Sequence, residues 1–194
     1  MKALACIIAG GKSSRMNGQE KAFLDLGGKP MLQHVIERVA PQVQAVAINA
    51  NGDPSRFSQF GLPVLADNPA EVSTPLAGLL TALTYAAARD FGLVLSLPSD
   101  TPFLPPDLRA RLGEGSLPAL AASAGQTHFL TGLWPAGVAT RIAQEVNRHG
   151  LRRMQDVAKR LAARTVQWTA DPHDPFFNIN TPEDLAKAQR LLQL

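Results

Sequence analysis

Hydrophobic positions along the chain follow two periods. Apolar runs at 3–9, 45–48 and 93–97, the last broken only by Ser96, are too short for globular helices. They are apolar enough for strands buried on both faces, as parallel strands are. A similar run at 62–66 ends in Asp67. Between these runs Met31, Leu32, Val35, Ile36 and Val39 recur at helical spacing behind Pro30, and 76–91 reads as a long helix rich in Ala and Leu, with Gly78 near its start. Strand and helix alternate in this half. That order predicts a single-domain α/β fold, doubly wound around a mostly parallel sheet with helices on both faces.

The second half is less regular. The pattern predicts a short helix at 106–112 and strands at 119–124 and 127–134 around Gly125 and Gln126, as a hairpin or a mixed-sheet excursion. Helices at 138–148 and 151–163 and a strand at 165–169 follow. Thr181 reads as the N-cap of a last helix, with Pro182 in its first turn and Asp184 three residues after the cap. No internal repeat, low-complexity segment or heptad run is present.

Composition narrows the classes without choosing among them. At 194 residues, 45% hydrophobic and 18% charged, one domain spanning 1–194 is expected. The formal charge of +3 and the pI of 9.4 reflect a small excess of Lys and Arg, which suits anionic small ligands better than nucleic acid. Cys6, the only cysteine, lies in an apolar run and reads as an inert buried thiol. His34, His128, His149 and His173 show no zinc spacing, and His34 reads as a surface or boundary residue. The first apolar run is too short to span a membrane and passes straight into a glycine loop, so the expectation is a cytoplasmic protein with no membrane contact.

That loop is where the chemistry concentrates. Gly10 and Gly11 follow the first strand, and Lys12, Ser13, Ser14, Arg15 and Lys21 come within eleven residues. Glycines let a backbone turn with its N–H groups exposed, and cations with hydroxyls hold polyphosphate by charge-assisted hydrogen bonds. From the loop alone, a phosphate cradle and a glycine turn with a solvated basic rim fit equally well. A Walker A loop is excluded, because Cys6 stands where its first glycine belongs, and the G-x-G-x-x-G dinucleotide fingerprint is absent.

The loops after the strands carry Gly10, Asn49, Asp67 and Asp100 to one edge of the sheet, where open α/β sheets bind ligands. Asp100 in a Ser-Asp-Thr-Pro turn caps that turn or, if the glycine loop holds a triphosphate, is the natural first ligand for its Mg²⁺ ion; Asn180 reads as a second oxygen or as a helix-entry turn residue. For Asp67, a ribose contact, a base contact and a plain turn cap all remain open. The sequence shows no Ser/His/Asp or Cys/His arrangement and no nucleophile elbow. Phosphoryl or nucleotidyl transfer needs none, since positioning and charge stabilisation do most of that work.

Residues 8–16, reading I-A-G-G-K-S-S-R-M with Lys21 after them, resemble the L-A-G-G-x-S-x-R-M-G…K signature of the molybdenum cofactor guanylyltransferases. G-G-K-P-M at 27–31, N-A-N at 49–51, P-L-A-G-L at 75–79, D-T-P at 100–102 and N-I-N-T-P-E-D at 178–184 continue the resemblance in order. It implies transfer of GMP from GTP to the terminal phosphate of molybdopterin, with release of pyrophosphate. The N-terminal part would bind GTP and the C-terminal part molybdopterin. The residues implied for GTP are Ile8, Ala9, Gly10, Gly11, Lys21, Asn49, Asp67 and Asp100. Arg15, Lys21 and Asp100 would be catalytic, and Asp100 would hold Mg²⁺, or Mn²⁺ in its place. Arg152, Arg153, Asn178 and Asn180 are candidates for molybdopterin, the two arginines reading equally well as solvated helix charges. Transient contact with proteins that handle the cofactor is also implied.

The chain departs from the signature at Asn17, Glu20 and Thr74, none of them a proposed ligand. His128, Phe129 and Leu130 replace a more usual His-Pro at the strand facing the second substrate. A related cytidylyltransferase family using CTP typically has Ala-Ala-Gly at 9–11, where this chain has Ala-Gly-Gly, which leaves room for a purine. Longer sugar-phosphate nucleotidylyltransferases and a non-catalytic GTP-binding module are the remaining alternatives.

Overall fold

The computed structural model describes residues 1–10, 19–67 and 74–193, and the backbone alone at 15–16. In chain order the strands are β1 (Ala3–Ile8), β2 (Arg15–Met16), β3 (Gln19–Glu20), β4 (Asp25–Leu26), β5 (Lys29–Pro30), β6 (Ala45–Asn49), β7 (Val64–Leu65), β8 (Leu93–Pro98), β9 (Ala119–Ser123), β10 (Gln126–Pro135) and β11 (Arg164–Trp168). The helices are α1 (Met31–Val39), α2 (Pro75–Ala87), α3 (Leu108–Leu112), α4 (Ala139–His149), α5 (Met154–Arg160) and α6 (Pro182–Leu191). Seven strands form one sheet in the order β11-β9-β10-β8-β1-β6-β7. All of them run parallel except β10, which is antiparallel to both neighbours.

Alternation along β1 explains why helices cover both faces. Ala3, Ala5 and Ile7 pack with Leu32, Val35 and Val39 of α1 and Leu108 and Leu112 of α3. Leu4 and Cys6 pack on the other face with Leu79, Ala82, Leu83 and Ala86 of α2, Ile142 of α4 and Val157 of α5. Successive strand side chains point to opposite faces, so a continuous apolar run feeds two cores at once. Cys6 is fully buried, and burial, helped by the charge of Asp67, pushes its thiol pKa up to about 12. It is inert at neutral pH.

Helix α6 docks at one end of the sheet over Leu24, Leu26, Met31 and Phe103. Its expected cap is present: Thr181 Oγ1 accepts from Asp184 N at 3.1 Å, and Asp184 Oδ2 accepts from Thr181 N at 3.0 Å. The uncertain stretch after 119 is a hairpin inserted into the main sheet. Its two-residue loop, Ala124 and Gly125, has φ of 47° and 77°, the left-handed pair that joins twisted strands.

Several expected boundaries move. The 62–66 strand shrinks to Val64–Leu65 at the sheet edge, where only β6 pairs with it. The helix expected at 151–163 covers only Met154–Arg160, because Arg153 has extended φ and ψ of −110° and 137°. Residues 54–60 form a 3₁₀ helix that the apolar pattern does not announce, since its anchor is an aromatic cluster of Phe23, Phe57 and Phe60.

Candidate active site

The carboxyl ends of β1, β6, β7 and β8 lie side by side, as the alternating pattern predicts. A cavity of about 430 Å³ opens at the ends of β1 and β8, against β10. Ile8, Ala9, Gly10, Ser99 and Asp100 line one side, residues 126–131 the other, and Asn178 and Asn180 close the end. Of the residues singled out in the sequence, Ile8, Ala9, Gly10, Asp100, Asn178 and Asn180 are thus brought together. An added Cβ on Gly10 would meet protein atoms only at 3.9 and 4.0 Å, so protein packing alone does not demand glycine there.

Lys21 belongs to the same corner. It sits in a short 3₁₀ turn, Lys21–Phe23, and is only 5% exposed, so its ammonium needs partners. Asp100 Oδ2 lies 3.3 Å away, and Lys21 Nζ also donates to Asn180 Oδ1. Ile179 N donates to Asp100 O at 3.0 Å, so backbone pairing fixes the Asn178–Asn180 segment beside Asp100. Burial pushes the Asp100 carboxyl above its ordinary value, and the positive charge of Lys21 only partly opposes that. A carboxylate and an amide oxygen therefore converge on one cation.

Asn49 and Asp67 form a second cluster, at the ends of β6 and β7 and outside the cavity lining. Asn49 Nδ2 donates to Leu65 O at 3.0 Å and Asp67 Oδ1 at 2.8 Å. Asn51 Nδ2 donates to Asp67 Oδ2 at 2.9 Å, its Oδ1 accepts from Asp67 N at 2.8 Å, and Thr81 Oγ1 reaches Asp67 Oδ1 at 3.3 Å. This network holds the carboxylate in one orientation. Gly78 makes room for it: a Cβ there would collide with Asn49 Oδ1 and come within 3.2 Å of Ile8 Cγ2. A glycine inside a helix costs about 1 kcal/mol relative to Ala, and here the close approach of the Asn49 carboxamide requires it. Glu20, one of the departures from the signature, pairs with Arg56, whose Nη2 donates to Asn51 O at 2.6 Å.

The β10 side of the cavity depends on a register shift in the β9–β10 pairing between His128 and Gly132. Ser96 lies beneath it, donating to Leu130 O at 2.8 Å and accepting from Trp134 Nε1 at 2.9 Å. Gly132 permits the bulge, since a Cβ there would lie 2.6 Å from Leu120 Cδ2 and 3.0 Å from Ala119 O. Bulges re-aim side chains, and this one coincides with the cavity wall.

The structure also joins three residues that the sequence leaves apart. Ser123 Oγ donates to Asp174 Oδ1 at 2.7 Å and lies 2.7 Å from His128 Nε2. This overturns the expectation that no Ser/His/Asp set exists. Its polarity differs from that of a nucleophilic triad, because the serine gives its proton to the carboxylate. The three residues come from two strands and a distant loop, so their spacing carries no signal. Arg152 and Arg153 are exposed ahead of α5 and do not line the cavity. His34 is half-buried, with Nε2 2.7 Å from Leu26 O, in keeping with a boundary residue. Gly11 lies outside the described residues, as does the Arg15 side chain. Among the described residues, no three His, Cys, Asp or Glu side chains cluster as metal ligands, and no helix is long and apolar enough to cross a membrane.

A model of the MobA-like NTP transferase domain matches residues 5–166. The molybdenum cofactor guanylyltransferase of Acidiphilium cryptum is 47% identical to this chain, over 95% of the chain and 93% of that protein. The molybdenum cofactor guanylyltransferase of Rhodopseudomonas palustris is 42% identical, over 96% and 92%. In fold, the chain is similar to molybdopterin-guanine dinucleotide biosynthesis protein A of Archaeoglobus fulgidus, with a TM-score of 0.72 at 22% identity and 98% of each chain covered.

Proposed function

The chain belongs to the molybdenum cofactor guanylyltransferases, and from that premise we propose that it joins GMP from GTP to the terminal phosphate of molybdopterin, using the cavity between β1, β8 and β10. A phosphate oxygen of molybdopterin attacks the α-phosphorus of GTP, the bond from that phosphorus to the bridging oxygen breaks, and pyrophosphate leaves with the electron pair. That attacking oxygen is already largely ionised near neutral pH, so no protein base is required. The observation that carries the reading is the convergence of Lys21, Asp100 and Asn180 on one corner of the cavity, beside the end of β1.

In this reading the strand ends divide the work. Ile8, Ala9, Gly10 and Gly11 receive the nucleotide against backbone, and Asn49 and Asp67, held by Asn51, orient its nucleoside. Lys21 and Arg15 offset negative charge on the phosphates as pyrophosphate departs. Asp100 and the amide oxygen of Asn180 suit Mg²⁺, a hard ion that takes one or two protein oxygens together with phosphates and water; Mn²⁺ suits the same donors. When bound, the ion neutralises charge on the triphosphate and orients it. Asn178 and Asn180 at the cavity, with Arg152 and Arg153 outside its lining, serve the molybdopterin half in the C-terminal part of the chain. The reading includes a cytoplasmic location and transient contact with proteins that deliver or receive the cofactor.

The test is pyrophosphate release by purified protein with Mg²⁺ and molybdopterin, comparing GTP, CTP, ATP and UTP, with Asp100→Ala as control. Release with GTP, lost in the control, is expected. Preference for CTP would overturn the base assignment, and GTP binding without release would turn the chain into a binding module.

A further inference from the structure

The Asp174–Ser123–His128 chain has no task in guanylyl transfer as derived above, yet it ends at the cavity wall. Asp174 Oδ1 accepts from Ser123 Oγ at 2.7 Å and from Phe176 N at 2.9 Å, so the single serine proton points at the carboxylate. Ser123 Oγ then has only lone pairs to offer His128 Nε2, which must carry the ring proton. In a neutral imidazole the other nitrogen, Nδ1, is therefore an acceptor. Burial holds His128 below the usual imidazole pKa, with Asp174 opposing, which keeps the ring neutral near pH 7. Among the described residues Nδ1 takes no hydrogen bond and is not fully buried, and the residue lines the cavity. Phe176, at 4.8 Å between centroids, holds the ring from behind and is itself packed edge-on against Trp168.

We infer that this relay fixes His128 in the Nε2–H tautomer so that Nδ1 accepts a hydrogen bond from an N–H group of the pterin ring, making His128 a specificity residue for the acceptor substrate. The inference rests on the reading that this cavity takes molybdopterin. Strand order supports the assignment. Asn49 and Asp67 lie on one side of β8, beyond β1, whereas His128 on β10 and Ser123 on β9, with Asp174 bonded to it, lie on the other. A nucleotide on the first side leaves the second for the acceptor. The chemistry selects which end of the acceptor: a phosphate offers mainly lone pairs, which an unprotonated nitrogen repels, while a pterin carries ring and exocyclic N–H donors. The phosphate must reach the α-phosphorus beside Asp100, so the pterin lies farther along β10.

The full-length protein labelled with ¹⁵N in its histidines, studied by long-range ¹H–¹⁵N NMR, should show His128 protonated at Nε2 and bare at Nδ1. Asp174→Ala frees the serine proton to face Nε2 and should turn the ring toward the Nδ1–H tautomer. His128→Phe keeps a ring against Phe176 and removes the nitrogen, with folding checked by circular dichroism. Both variants should weaken molybdopterin binding about tenfold, the scale of one hydrogen bond, with GTP affinity changed less than twofold. An Nδ1–H tautomer in the parent protein, or unchanged molybdopterin affinity in folded His128→Phe, overturns the inference. Should Asp174→Ala fail to fold, His128→Phe decides alone. If molybdopterin binding falls in the variants but the parent shows no GTP turnover, the acceptor assignment stands and guanylyl transfer fails.

Discussion

The two walls of the cavity are built by different means. On the β1 side, four parallel strands stop at one edge: Gly10 and Asp100, after β1 and β8, line the cavity, and Asn49 and Asp67, at the ends of β6 and β7, stand beside it outside the lining. On the β10 side an antiparallel strand runs through the wall, and only a bulge held by Ser96 and Trp134 turns its middle toward the cavity. Strand ends deliver function without disturbing the sheet. Mid-strand delivery breaks a ladder and needs Gly132 and a buried hydrogen-bonded pair to hold the break. In the proposed reading, the end-built wall serves the nucleotide and the bulge-built wall serves the acceptor.

Substitutions at the strand ends should have the largest effects. Asp100→Asn should lower turnover by about 10³-fold, the scale of losing a preorganised electrostatic partner, in the pyrophosphate assay. The same substitution should stabilise the free protein at neutral pH. Burial raises the folded pKa of Asp100, so its carboxyl favours the folded state while protonated, below its unfolded value, and that contribution is lost as pH rises through the folded value. The Tm gain of Asp100→Asn at pH 7 should therefore vanish in acid, below the ordinary Asp range. Lys21→Ala should cost about 10²-fold in turnover with the fold intact, and near-normal turnover would remove Lys21 from the charge-stabilising role.

Two glycines test the walls separately. Gly78→Ala drives a methyl into Asn49 and should raise the GTP KM about tenfold, with a stability loss of about 1–3 kcal/mol in denaturant melts. Gly132→Ala should lose a similar amount of stability, and its KM effect should fall on molybdopterin instead. Equal effects of both glycines on both substrates would show that the walls act as one unit. The smallest change expected is Thr181→Ala, about 1 kcal/mol from loss of the α6 cap, with KM values unmoved.

Much of the end-built wall was legible from the chain. Apolar runs mark the strands, and the polar residue that stops each run is the one the fold presents, because a parallel strand emerges from its core at one edge. Gly78 was visible as a motif residue, but its reason was not, since the Asn49 carboxamide that fills its place lies 29 residues earlier. Lys21 was legible as a phosphate candidate, and its contact with Asn180, across most of the chain, was not.

By itself, the sequence determined the alternation of elements, the α6 cap, the inert thiol and the family resemblance, all set by local period or by residues close in the chain. Only the tertiary structure decided that β10 inserts antiparallel beside β8, that the hairpin bulges at 128–132, and that Ser123, His128 and Asp174 form one relay. The physical reason is range. Periodicity records which side of an element is apolar, whereas a hydrogen bond between side chains 51 residues apart depends on strand order and register, which no local pattern specifies.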